Sequence, residues 1–252
     1  AIRYQYNIPD IEINDYLQAG VFIDYYLDSD QYQNVLISIL NEKGKIIDSF
    51  NSISSEAKES NNYNMQLSDY SSNASYKVTT KKGFNRFRWN LRHKGIYDED
   101  EEKNIVGPFV KPGKYIAEVT LDNVYKISVE FTVEKDPNTE ISQDTFAEVE
   151  QFQLKLIKKI REATRISNEI KSLKLSKKLN KNKLLGLDAI LEKLETKEGD
   201  YMQPMLIDQF KYLYSMVTEA DQVLGKDAYD RFKELSLQLE KITQKELTLN
   251  WN

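Results

Sequence analysis

Gly83-Phe84-Asn85-Arg86-Phe87-Arg88-Trp89-Asn90-Leu91-Arg92 decides how the first half of this chain is read. From Phe84 to Leu91 the residue types alternate. Phe87, Trp89 and Leu91 fall on one side, and Arg86, Arg88 and Asn90 on the other. Successive side chains of a strand point to opposite faces, so this spacing predicts a half-buried strand with the apolar set inward and the arginines outward.

Working outward, strand signals continue on both flanks. Upstream, Val21 to Leu27 is a short apolar and aromatic run bounded by Ala19-Gly20 and Asp28-Ser29-Asp30. Val35 to Leu40 and Lys45 to Phe50 flank Asn41-Glu42-Lys43-Gly44, the pattern of a hairpin closed by a glycine. Downstream, Lys114 to Leu121 turns at Asp122-Asn123 and returns as Val124 to Val133. Asp and Asn suit such a turn because both tolerate positive φ. Residues 51–82, rich in Ser, Asn, Glu and Lys, read as a long insertion loop with a short strand at Tyr76-Lys77-Val78-Thr79. Several short antiparallel strands in this span predict an immunoglobulin-like β-sandwich over residues 1–137.

Beyond Asp136-Pro137 the period changes to 3.6. Ser142 or Asp144 can cap a helix whose apolar stripe runs Phe146, Val149, Phe152, Leu156, Ile160, Ala163, Ser167, Ile170 and Leu173. A Lys/Asn-rich break at 177–183 precedes Leu184, Leu187, Ile190, Leu191 and Leu194. After Gly199-Asp200, Pro204 occupies a first-turn position ahead of Leu206, Phe210, Leu213, Val217 and Ala220. Gly225-Lys226-Asp227 then turns into Ala228, Phe232, Leu235, Leu239 and Ile242. Four amphipathic segments with short breaks predict an up-and-down, antiparallel helical bundle over residues 138–252. The expected class is α+β.

Bulk properties narrow the function classes. The chain has 252 residues, 40% hydrophobic and 30% charged, an ordinary globular balance. Its net charge of −5 argues against a nucleic-acid partner. No stretch approaches the run of about 20 apolar residues that spans a bilayer. Cysteine is absent, which excludes disulfides, thiolate metal sites and cysteine nucleophiles. The opening Ala1-Ile2-Arg3-Tyr4 reads as mid-protein sequence, so a fragment or mature domain is expected.

No stretch assembles a catalytic or metal-binding set, and no cofactor is expected. His93, the single histidine, reads as a surface residue, because no motif supplies it with a nucleophile or an orienting carboxylate. Asp98-Glu99-Asp100-Glu101-Glu102 has carboxylates enough for calcium but lacks the ligand spacing and glycine of a dedicated loop, and reads as a solvated tip. Asp24, Asp28 and Asp30 could suggest glycosidase chemistry, yet carboxylates at a strand end are usually turn residues. Asn73-Ala74-Ser75 matches a glycosylation acceptor in a stretch where such triplets arise by composition. Tyr201, Tyr212, Tyr214 and Tyr229 could form an aromatic face on the helices or lie half-buried between them.

The pattern G-x-N-R-x-x-W-x-L-R at 83–92, followed by Gly107-Pro108 and by V-x-P-G-x-Y at 110–115, resembles a known family. It is similar to the immunoglobulin-like segment near the C-terminus of bacterial sortilin-like proteins, large exported proteins with BNR-repeat β-propellers. The flagellar hook-capping protein's immunoglobulin-like domain has a shorter version of the motif. Gly20 to Leu27 resembles the family's opening strand, and Gln203 to Leu213 with Ala220-Asp221-Gln222 its helical tail. Asn90 stands where the family more usually has Asp, and the 51–82 insertion is longer. The family's glycosidase-like character lies in its propeller, so no catalytic residue carries over. The resemblance implies an accessory module lying after a propeller, at the cell surface or in the periplasm of a bacterium, and meeting other proteins. A carbohydrate-binding module is the alternative; it needs an exposed aromatic row, for which Tyr25, Tyr26, Tyr63, Tyr70 and Tyr76 are candidates. In either case Trp89 is expected to fill the core, Arg86 and Arg92 to bond neighbouring strands or acidic loops, and Pro112-Gly113 to set the turn before Tyr115. Off-stripe apolar residues on the helices (Leu154, Ile166, Leu175, Leu185, Met205, Tyr212, Met216 and Leu237) point to contact surfaces there.

Overall fold

A computed structural model of the chain describes residues 2–3, 20–53, 78–98, 103–176, 180–197, 199, 202–219 and 222–250. The class is α+β, and the chain divides into two compact units, Ala1–Glu150 and Gln151–Asn252.

In the first unit, strands β1 (Ile2–Arg3), β3 (Val35–Asn41), β4 (Ile46–Asn51), β8 (Gly113–Leu121) and β9 (Tyr125–Lys135) form one sheet in the order β1-β9-β8-β3-β4. All its pairings are antiparallel except β1 with β9. Strands β2 (Val21–Leu27) and β5 (Gly83–Trp89) make a second antiparallel pair, and β6 (Ile96–Asp98) with β7 (Lys103–Ile105) a third.

Both expected hairpins form. Asn41 Oδ1 accepts from the amides of Lys43 and Lys45, while Gly44 takes φ +74°, a conformation that a Cβ would penalise. At the other hairpin Asp122 and Asn123 adopt φ 48° and 59°. Asp122 Oδ1 also accepts from Gln33 and Asn34 N–H at 3.0 and 2.7 Å, so the turn residue fixes the connection into β3 as well.

One apolar cluster draws on both larger sheets: Ile23 and Leu27 from β2, Val35, Ile37 and Ile39 from β3, Phe87 and Trp89 from β5, and Tyr115 and Ala117 from β8. The inward set of the motif is fully buried, Trp89 and Leu91 at 0% exposure. Arg88 departs from expectation. It lies on the outward face that alternation assigned, in register with Phe22, yet it is 5% exposed. The chain at Gly20 covers that face there: a Cβ on Gly20 would sit 3.1 Å from Arg88 Cγ and 2.8 Å from the Trp89 carbonyl oxygen. Glycine lets the backbone lie on the arginine stem. Of the strand expected at 76–79, Tyr76 and Lys77 lie outside the described residues, and Val78 and Thr79 are in no strand. Val78 reaches the core from irregular backbone.

Helix α1 (Gln143–Ser176) begins in the first unit, and α2 (Lys181–Leu194), α3 (Leu206–Thr218) and α4 (Lys226–Asn250) belong to the second. The apolar stripe of α1 is buried from Phe146 to Ile170 as the spacing predicts, and Leu173 is half-buried. Helix direction does not alternate along the series, as an up-and-down order requires. Ser167 and Lys171 of α1 meet Glu195 at the exit of α2, and Lys174 meets Asp188, so α2 runs against α1. The start of α3 is held at Thr196, next to Glu195 and so near Ser167, while near its end the Val217 carbonyl accepts from Gln153 Nε2 at 2.6 Å, so α3 runs against α1 too, over its earlier half. Phe152 and Phe210 pack on Phe232, and further along α4 Gln238 and Ile242 line one cavity with Leu206 at the start of α3, so α4 runs against α3 and with α1. Length explains this. At about 1.5 Å per residue, the 34 residues of α1 extend some 50 Å, and the 14 of α2 or the 13 of α3 about 20 Å. Two short helices in succession line one long helix. Thr196 ties them: its Oγ1 accepts from Met205 N–H and donates to Asp208 in the first turn of α3. Met205 is thus the N-cap, and Pro204 lies one residue outside the helix rather than in its first turn.

Candidate functional site

The motif residues converge on one corner of the first unit. Leu91 leaves β5 with φ +62°, a left-handed conformation that costs a bulky residue about 1–2 kcal/mol. Its carbonyl accepts from Val110 N–H at 2.9 Å, and its side chain is wholly buried, which holds the turn in place. The turn brings the Arg92 carbonyl to Trp89 Nε1–H at 3.0 Å. The Arg92 guanidinium lies 3.5 Å over the Phe109 ring and donates to the Gly107 carbonyl at 2.9 Å. A Cβ on Gly107 would sit 1.8 Å from the His93 carbonyl oxygen, so only glycine lets the two segments meet. Tyr115 closes the corner, its hydroxyl donating to the Lys111 carbonyl at 2.6 Å. Asn85, also in the motif, bonds the carbonyls of Lys81 and Gly83 and accepts from Thr79, which shapes the entry into β5. Each of these residues organises backbone.

His93 is not the surface residue the sequence suggested. Its side chain is 16% exposed, and Nε2 lies 2.9 Å from Glu150 Oε1 on α1; that oxygen also accepts from Lys111 N–H at 3.0 Å. An orienting carboxylate therefore exists, 57 positions away in sequence where no local motif could reveal it. The Glu150 oxygen facing His93 is committed to the corner, binding α1 to the segment before β8.

Of the three aspartates, Asp24 lies in the middle of β2 and Asp28 and Asp30 in the turn that follows it. Asp24 takes two hydrogen bonds of 2.7 Å from Arg86 across the β2–β5 register. The Arg86 hydrogen bond, helped by the arginine's charge, holds the Asp24 carboxyl below its ordinary pKa, with burial opposing it. Asp28 accepts from the Tyr32 hydroxyl, raising the phenol's pKa, and Asp30 accepts from Lys82 N–H. Asp98 ends β6, while Glu99 to Glu102 and Asn73 to Ser75 lie outside the described residues. Among the described residues, no three His, Asp or Glu side chains converge as a metal ion would need, and no helix is long and apolar enough to cross a membrane.

Two exposed apolar surfaces remain. On the outer face of β2–β5, Phe84 (88% exposed) and Tyr26 (59%) stand in register with ring centroids 5.1 Å apart. Phe22 shares that face, 5.2 Å from the Arg86 guanidinium. Extending the alternation of β5 back by one step would have found Phe84. Tyr25 points the other way, its hydroxyl bonded to Thr79; Tyr63, Tyr70 and Tyr76 lie outside the described residues. On the helices Tyr212, Met216, Leu185, Leu175 and Leu237 are exposed, whereas Ile166 and Tyr214 are buried, Leu154, Met205 and Tyr229 half-buried, and Tyr201 outside the described residues. A cavity of ≈ 330 Å³ among α2, α3 and α4 is lined by Ile190, Leu206 and Ile242 together with Lys193 and Lys241. Its lining offers these two lysines but no carboxylate, histidine or hydroxyl to pair with them. No family model, curated protein or solved structure matches this chain.

Proposed function

We propose that this chain is a non-enzymatic accessory module of an exported bacterial β-propeller protein, working at the cell surface or in the periplasm through protein–protein contacts. In this reading the first unit is an immunoglobulin-like β-sandwich and the helices that follow form a bundle. One observation carries the proposal: the motif side chains of the 83–115 segment are absorbed in holding backbone, while apolar side chains off the helical stripes stand in solvent. Tyr212 and Met216, one turn apart on α3, are 68% and 47% exposed. Paired aromatic and methionine side chains of this kind supply contact area that the described residues leave exposed. The test is co-purification of the chain with its separately expressed upstream region, for wild type and for Tyr212→Ala/Met216→Ala. Binding that is lost in the double variant supports the proposal, and binding that is unaffected places the contact elsewhere.

A carbohydrate-binding module is the second reading, favoured by the Tyr26–Phe84 pair, whose rings offer a sugar an exposed apolar platform. A glycan array probed with the chain decides it. Signal abolished by Phe84→Ala supports this reading, and no signal on any polysaccharide rejects it.

A further inference from the structure

The cavity among α2, α3 and α4 is lined by two cations that no acid of its lining answers. We propose that it binds a carboxylate anion borne on a short apolar chain, the chemistry that a medium-chain fatty acid offers.

Each helix supplies part of the wall. Ile190 comes from α2, Leu206 from α3 and Ile242 from α4, and they are buried at 1%, 2% and 7% exposure. Lys193 stands one turn after Ile190, and Lys241 is the residue before Ile242; both lysines are exposed. The apolar part of the lining is therefore the inner one and the charged part the outer one, the same polarity as an amphipathic anion. A volume of ≈ 330 Å³ falls within the roughly 300–1,000 Å³ of small-molecule sites, which combine a mostly apolar lining with a few polar groups.

The two lysines differ from other cations of these helices in having no acid near them in sequence. Lys159 is answered by Glu162, Arg165 by Glu169, Lys226 by Asp230 and Arg231 by Glu234, each three or four positions along its own helix. At those spacings Lys193 has Ala189, Ile190, Thr196 and Lys197, and Lys241 has Leu237, Gln238, Gln244 and Lys245. The acids nearby in sequence are committed elsewhere: Glu192 to Lys197, Asp208 to Thr196 and Lys211, and Glu234 to Arg231 and Gln238. Among the described residues neither Lys193 nor Lys241 forms an ion pair. The lining carboxamide of Gln209 is engaged as well, donating to the Pro204 carbonyl at 2.6 Å and accepting from Arg231 at 2.7 Å. Two ammonium groups on one cavity repel each other. A carboxylate between them removes that repulsion and accepts a charge-assisted hydrogen bond from each, while its tail covers the apolar wall.

Isothermal titration calorimetry of the whole chain with octanoate, below its micelle concentration, tests the proposal. One saturable site per chain is expected, weakening as salt is raised. Octanol keeps the tail without the charge, and acetate keeps the charge without the tail; each is expected to bind at least about tenfold more weakly. Lys193→Gln and Lys241→Gln should each weaken octanoate about threefold to tenfold, whereas Lys193→Arg, which keeps the charge, should bind more tightly than Lys193→Gln. The comparison of arginine with glutamine at one exposed position separates lost charge from lost fold. Binding is read on the chain alone, so the result stands apart from any contact with an upstream region. No saturable octanoate binding overturns the proposal, as does binding indifferent to both glutamine variants. Octanol or acetate as tight as octanoate, or an arginine variant as weak as the glutamine one, overturns it equally.

Discussion

Strands β5 and β9 carry similar sequence patterns and meet opposite fates. Both alternate large apolar residues with charged or polar ones. In β5 the alternate residues Phe87 and Trp89 are fully enclosed; in β9 Tyr125, Ile127 and Val129 stand more than half in solvent, and only Phe131 and Val133 reach the core. Alternation assigns a side chain to a face, and the neighbouring strands decide whether that face is covered. Arg88 teaches the same lesson from the other side, on a face assigned to solvent but closed over by Gly20.

The sharpest way to break this comparison is to cut the same kind of side chain from each strand. Trp89→Ala removes a fully buried indole together with its bond to the Arg92 carbonyl, and is expected to cost about 3–5 kcal/mol, enough to unfold the first unit at moderate denaturant. A loss below about 1 kcal/mol in denaturant titration would mean that the ring contributes no packing. Glu150→Ala comes next. It strips the acceptor from Lys111 N–H and from His93, at an expected cost of about 1–3 kcal/mol. Exchange of the Lys111 amide, faster in the variant, locates the loss. Val129→Ser, on a row exposed among the described residues, should shift stability by no more than about 0.5 kcal/mol. A large effect at that position would show the β9 face to be covered after all.

The smallest expected effect is the pH dependence of the Asp24–Arg86 pair, whose side chains are 50% and 56% exposed. Hydrogen bonding to Arg86 depresses the folded-state pKa of Asp24. The pair's contribution is therefore fully present above the unfolded aspartate value of about 3.9 and is lost as pH falls through the lower folded value. The melting temperature of wild type should exceed that of Asp24→Asn slightly at neutral pH, converge with it in acid, and approach it in high salt. A difference that persists below the folded value would assign the effect to something other than this charge.

Much of this was legible in the sequence because it is local. The β5 alternation, the Asp122-Asn123 turn and the stripe from Phe146 to Ile170 each depend on residues a few positions apart. The His93–Glu150 contact was not legible, since its partners are joined only by the fold. Nor was the common direction of α2 and α3: break residues announce that a helix ends, and whether the next one reverses depends on how much of α1 remains unlined. Among the candidate sites, Asp28 and Asp30 lie in the turn after β2 as their position suggested, whereas Asp24 lies in mid-strand, paired with Arg86 of β5, and Phe84 belongs to the outward set of a strand whose inward set carries the core.

Hydrogen exchange of the chain, alone and mixed with its separately expressed upstream region, tests the central claim most directly: that this is a contact module working through its helices. The account predicts slower exchange along residues 146–173 or 204–224 on mixing, where buried stripes are bordered by exposed Tyr212 and Met216. Protection confined to 51–82 and 98–106, with helical amides unchanged, would contradict it.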